Sequence, residues 1–146
     1  MGDDSSKRQS KTSAGRTGLR LWQVFFLALL LVAPAIALLR LGMFGEPLLV
    51  VAAVFGVSLV GFVAQWIDKR RAEAEHWRVP EKVLHLLELL GAWPGAFLAQ
   101  RIFRHKTAKL SYQFVFWLIV AAYEYAAVDA LLDWEITLRL KHLIGL

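Results

Sequence analysis

The sequence predicts an all-α integral membrane protein with three transmembrane helices and a re-entrant or interfacial helical hairpin that faces the cytoplasm. Three observations carry that prediction. Hydrophobic residues make up 58% of the 146-residue chain and the mean hydropathy is +0.49, more apolar than a soluble domain of this length. The runs 21–39, 47–67 and 110–132 are long and apolar enough, at about 1.5 Å per residue, to cross a hydrocarbon core of about 30 Å. A fourth, broken apolar stretch has cations at both ends, and the bias of Lys and Arg toward the cytoplasm places both ends there.

Taken in chain order, residues 1–18 are polar and rich in Ser, Lys and Arg with no apolar period, which predicts a disordered basic cytoplasmic tail. Residues 19–146 then form a single membrane domain. The first span is apolar except for Gln23. Ala35 and Ala37 within it imitate a signal-peptidase site, but the run is longer than the roughly 7–15 residues of a signal peptide's apolar core. After Arg40 the sequence LGMFGEP supplies a turn, with Pro47 suited to the first position of the next helix. The second span stops at DKRR and runs antiparallel to the first. The third contains Glu124. From Trp134 to Lys141 polar and apolar residues alternate as in a strand, yet a lone strand has no partner, so a short interfacial segment anchored by Trp134 is expected.

Charge sets the orientation. Of the 17 Lys and Arg, five lie in or beside the tail, nine lie between Lys69 and Lys109, and only Arg40, Arg139 and Lys141 remain. The tail and the middle segment are therefore expected in the cytoplasm and the C-terminus on the periplasmic side. The hairpin, about 80–105, is expected as a helix from Pro80 to Leu90, a break at GAWPG, and a helix from Ala96 to Phe103. Pro80 fits a first helical turn and Glu81 complements the helix dipole. Gly91 can end one helix, Pro94 can start the next, and Gly95 permits close backbone approach. The competing arrangement is a fourth full span from Val83 to Phe103, which would divide the nine cations across the membrane.

Three groups of residues are candidates for chemistry. Glu81, His85 and Glu88 fall within about 60° on one helix face, as a metal or proton site requires. The simpler reading turns that stripe toward headgroups and water. Two carboxylates and one histidine are too few to hold zinc unless His76 or His105 contributes. Arg101, Arg104, His105, Lys106 and Lys109 form a basic cluster suited to anionic headgroups, phosphate or a protein partner, although topology alone explains the same charges. Glu124 is a carboxylate inside a span and needs a partner, either Arg40 or a proton. Asp68 with Lys69 reads as an ion-pairing site or a docking point for the hairpin.

No cysteine is present, so disulfides, thiol catalysis and thiolate metal sites are excluded. The P-loop, G-x-G-x-x-G, G-x-S-x-G and H-E-x-x-H patterns are absent as well. No cofactor or resident metal is expected, and the reading leans away from an enzyme.

The run WIDKRRAE, followed by WRVPEKVLHLLELLGAWPGAFLAQRIFRHKTAKLSYQFVFW, resembles a family of small bacterial membrane proteins known as domain of unknown function 1294. The resemblance covers Gly56 to about Val120 and rests on Asp68-Lys69, Arg78-x-Pro80-Glu81, Leu84-His85, Trp93-Pro94-Gly95 and Arg104-His105-Lys106. Trp66 stands where the family usually has Tyr, and Ala92 where it often has Gly. The resemblance implies the bacterial inner membrane and no established activity. Some relatives carry a cold-shock domain, which implies nucleic acid near the membrane. Here the tail offers only basic charge and no aromatic residue for base stacking. The expected role is a non-enzymatic module that binds anionic lipid, phosphate or a protein partner, including a second copy of itself. A site on Glu81, His85 and Glu88 and a nucleic-acid tether are the alternatives.

Overall fold

The computed structural model describes residues 19–42, 46–74, 77, 79–104 and 106–144. Tail residues 1–18, and with them His76, Arg78 and His105, lie outside the described set. Every regular element in that set is helical. α1 is Leu21–Arg40, α2 Pro47–Glu73, α3 Glu81–Leu87, α4 Trp93–Phe103, α5 Leu110–Leu131 and α6 Glu135–Ile144, with a π-helical turn, Glu88–Ala92, joining α3 to α4. Four helical segments are long and apolar enough to cross a membrane: α1, α2, Glu81–Phe103 and α5.

Local chemistry explains the boundaries. Gln23 accepts the Arg20 backbone N–H at 3.1 Å and fixes the start of α1. Pro47 occupies the first turn of α2, where its missing N–H costs nothing. α2 ends at Glu73 rather than Ile67, because Asp68-Lys69-Arg70-Arg71 are compatible with helix and Arg70 and Arg71 complement its C-terminal dipole. The second half of the Glu81–Phe103 segment begins at Trp93 rather than Ala96. Only Gly91 leaves helical geometry there, at φ 104°, a conformation that favours glycine. The strand-like C-terminal alternation gives way to helix α6, whose first amides Ile136 N and Thr137 N donate to Asp129 Oδ1 at 2.9 and 3.2 Å. That side chain satisfies two of the donors that every helix start leaves open.

The Glu81–Phe103 segment returns to where it began. Before it, the Val79 N–H donates to Asp68 Oδ1 at 3.0 Å. After it, Lys106 Nζ lies 2.8 Å from Asp68 Oδ2. Its middle lies farther back along α2, where Ala92 abuts Gly61 and Gly95 abuts Ser58. The Phe103 ring then comes back to 5.4 Å from Phe62 and takes the Lys69 ammonium over its face at 5.4 Å. α3 thus runs against the direction of α2, and α4 runs along it.

α1 lies alongside α5 in parallel, with Phe26 6.1 Å from Trp117 near one end and Arg40 Nη1 donating to the Leu131 carbonyl at 3.2 Å at the other. The core gathers Leu27, Leu84, Trp93, Phe97, Tyr112 and Phe116 from α1, α3, α4 and α5. Side chains such as Phe25, Leu48, Phe55 and Phe114 are exposed around the outside at 69–76%. Water would not tolerate so much apolar surface on a monomer, whereas lipid would. Of the 18 most apolar consecutive residues in Glu81–Phe103 56% are buried, against 11% of those in α1 and in α2, so the one segment with irregular backbone is the one wrapped by protein, as a low-dielectric surrounding requires. Beyond its turn an apolar cleft of about 460 Å³ opens between Leu31, Pro34, Val57, Leu90 and Tyr123.

Candidate functional site: a buried polar network

Polar side chains concentrate where α2, α3, α4 and α5 meet. Gln65, Asp68, Glu88, Gln100 and Tyr112 are all at most 1% exposed. α2 delivers Gln65 and Asp68 to one face because they are three residues apart.

The outer layer of the network is ionic. Lys106 bridges Asp68, at 2.8 Å, and Glu81, at 3.8 Å. Lys109 Nζ donates to both oxygens of Glu81 at 2.8 and 2.9 Å. Arg104 and Lys106 hold left-handed backbone, at φ 49° and 59°, a conformation costly for residues with a side chain and common where a site over-determines it. The tight turn aims Lys106 at buried Asp68, and the Lys106 ammonium also sits 4.8 Å from the Tyr112 ring centre.

The inner layer centres on Glu88. Gln65 Nε2 donates to Tyr112 Oη at 2.6 Å and to Glu88 Oε1 at 3.2 Å. The Tyr112 hydroxyl donates to Glu88 Oε1. His85 Nδ1 lies 2.7 Å from Glu88 Oε2, and the His85 ring rests on Tyr112 with centroids 4.2 Å apart. As a carboxylate, Glu88 accepts from all three neighbours, so a buried charge is matched by donors. Two atoms of the five buried polar side chains named above remain unmatched, Gln65 Oε1 and Gln100 Nε2. Gln100 Oε1 accepts from Gln113 Nε2 at 2.7 Å.

The stripe predicted on α3 therefore divides. Glu88 points into the protein, Glu81 turns to the lysines, and His85 lies between them with a side chain 17% exposed. Among the described residues no three His, Asp or Glu side chains converge as an ion would need. The basic cluster divides too. Lys106 and Lys109 close the segment's ends, while the Arg101 guanidinium stacks 4.9 Å from the Phe97 ring centre with its Nε unmatched. Glu124 Oε1 is buried without a partner among the described residues, and Arg40 donates to the Leu131 carbonyl instead. Partly buried Lys69 pairs with exposed Glu73 at 3.4 Å. Gln65, Gln100, Tyr112 and Gln113 were not singled out from sequence. The available signal was Gln65, a full amide inside an apolar run and one helical turn before Asp68.

The family model described as "Protein of unknown function (DUF1294)" matches residues 58–112, a stretch that starts at the residue facing Gly95 and ends at Tyr112. Uncharacterized protein YsdA of Bacillus subtilis (strain 168) is 33% identical over 67 residues, covering 46% of this chain and 75% of that protein. No solved structure matches the chain.

Proposed function

The chain belongs to the DUF1294 family of proteins of unknown function, and from that premise we propose that it is a non-enzymatic bacterial inner-membrane module with three spans and a cytoplasm-facing re-entrant hairpin, binding anionic lipid headgroups around the hairpin's closed end. The observation that carries this reading is that both ends of the hairpin reach Asp68, through Val79 N and Lys106 Nζ. From Asp68 to Ser58 is about 15 Å along a helix at about 1.5 Å per residue, half of a hydrocarbon core of about 30 Å. The hairpin thus enters to mid-depth and leaves by the same face.

Charge supports the orientation and the ligand. Exposed Arg71, Lys82 and Arg104 surround the closed end, on the side of the molecule that also holds Lys69, Arg70 and the start of α1. Lys and Arg so placed favour the cytoplasmic leaflet and attract its anionic lipids. Lys106 and Lys109 serve the fold here, so headgroup binding falls to the surrounding rim.

Because the chain lacks cysteine, single cysteines report topology directly. Lys82→Cys and Arg104→Cys should react with a membrane-impermeant maleimide from the same, cytoplasmic side, and Glu46→Cys from the other. Labelling of Lys82→Cys and Arg104→Cys from opposite sides would mean a fourth full span. Headgroup binding is read by native mass spectrometry, in which wild type should retain phosphatidylglycerol in preference to phosphatidylcholine and the Arg71→Ala/Arg104→Ala double variant should retain less.

A further inference from the structure

His85 is held in a way that a purely structural histidine does not need. Buried Glu88 fixes its Nδ1 at 2.7 Å, Tyr112 supports its ring face at 4.2 Å, and the side chain stays 17% exposed. Among the described residues nothing hydrogen-bonds Nε2. The Glu88 carboxyl on one ring nitrogen sets the orientation of the imidazole, so the other nitrogen is presented outward in a fixed direction.

The surroundings of that nitrogen select a ligand. Lys82, His85, Leu86 and Leu89 stand at positions i, i+3, i+4 and i+7, which share a helix face. Lys82 is exposed and makes no ion pair among the described residues. Leu86 and Leu89 are each 55% exposed. A cation and an oriented imidazole therefore stand above a bare apolar strip on a membrane helix. Of the two carboxylates beside this face, Glu88 is buried against His85, Tyr112 and Gln65 and Glu81 takes both bonds from Lys109 Nζ, so neither stands open toward an incoming anion.

We infer that this face of α3 is a site for one anionic phospholipid, with a phosphate oxygen on His85 Nε2, the Lys82 ammonium beside it, and an acyl chain along Leu86 and Leu89. The inference rests on the proposed placement of the hairpin mouth at the cytoplasmic headgroups. A free phosphate ion would use the same donors but leave the leucines uncovered, so the lipid is the occupant that fits both halves. Glu88 is the positioning residue and touches no ligand.

The test uses the full chain in nanodiscs of phosphatidylcholine with and without phosphatidylglycerol. In ¹⁵N-histidine spectra, the Nε2 resonance identified by its loss in His85→Asn should move when phosphatidylglycerol is present; no movement overturns the site. In native mass spectrometry, His85→Asn, which keeps the Nδ1-like contact with Glu88 but lacks the outer nitrogen, should lower phosphatidylglycerol retention about tenfold, the scale of one charge-assisted hydrogen bond. His85→Gln, which replaces the outer nitrogen, should restore part of it. Unchanged retention in a folded His85→Asn, alongside reduced retention in Arg71→Ala/Arg104→Ala, would sink this site and leave the wider headgroup reading standing. Absence of any phosphatidylglycerol preference in wild type would sink both. A resonance that moves with inorganic phosphate and not with phosphatidylglycerol would overturn the lipid assignment.

Discussion

A methyl group at position 95 would fall 1.6 Å from the Ser58 carbonyl oxygen, so the middle of the 81–103 segment meets α2 backbone to backbone. Gly61 is nearly as tight, with a methyl there 2.3 Å from the Ala92 carbonyl oxygen. Close approach of this kind is how helices gain dispersion energy where lipid supplies no hydrophobic drive. Gly95→Ala should destabilise the protein by at least about 3 kcal/mol, because a backbone atom cannot yield as a flexible side chain does. Gly56→Ala, which meets nothing within 4 Å, should leave the protein unchanged or slightly stabler by removing a glycine from mid-helix. Thermal melting in one detergent compares them, and equal melting of both variants would contradict the close contact.

Buried Asp68 pairs with the partly buried Lys106 at 2.8 Å. Asp68→Ala leaves the ammonium without its main partner and should cost about 3–5 kcal/mol, while replacing both residues with apolar ones should cost clearly less. A double-mutant cycle by thermal melting measures the difference, and strict additivity would mean that the pair is not coupled.

Tyr112 relays between Gln65 and Glu88. Tyr112→Phe keeps the ring against His85 but removes the hydroxyl, leaving Glu88 Oε1 with one donor fewer, and should cost about 1–3 kcal/mol. In a Glu88→Leu background the same change should cost less. A cost that is the same in both backgrounds would exclude the carboxylate as the reason.

Asp129 fastens α6 through the Ile136 and Thr137 amides and the Thr137 hydroxyl. Asp129→Ala should cost about 1 kcal/mol, the usual loss for a helix cap, and act locally. Hydrogen exchange should rise across 135–144 while α1, α2 and α5 keep their protection. Uniform loss of protection would show that α6 is integral to the bundle instead.

Much of this architecture was legible in the sequence. Apolar length marked α1, α2 and α5, since a bilayer sets a minimum that composition alone can meet. Gly91, Trp93, Pro94 and Gly95 marked the turn because left-handed backbone and a missing N–H restrict which residues can stand there. Asp68 with Lys69 read as a capping and ion-pairing site or a docking point; in the structure Asp68 receives Val79 N and Lys106 Nζ, and Lys69 pairs with Glu73. α6 was harder to read. Its alternating pattern favours a strand in isolation, and what makes it helical is a cap from Asp129, six residues upstream of its first turn.

Sequence by itself determined where the chain is apolar, where its charges lie and where its backbone can bend, because each depends on residue type and local spacing. Tertiary structure alone decided what the polar residues do. Glu81, His85 and Glu88 share one stripe on a helix, yet they separate into an ion pair with the lysines, an oriented imidazole and a buried carboxylate, according to which neighbouring helix each one meets. Those neighbours, Gln65 on α2 and Tyr112 on α5, are 23 and 24 residues from Glu88 in sequence, beyond the reach of any local pattern. In a low-dielectric interior a polar group's role is set by the partner that satisfies it, and that partner is assigned only when the helices pack.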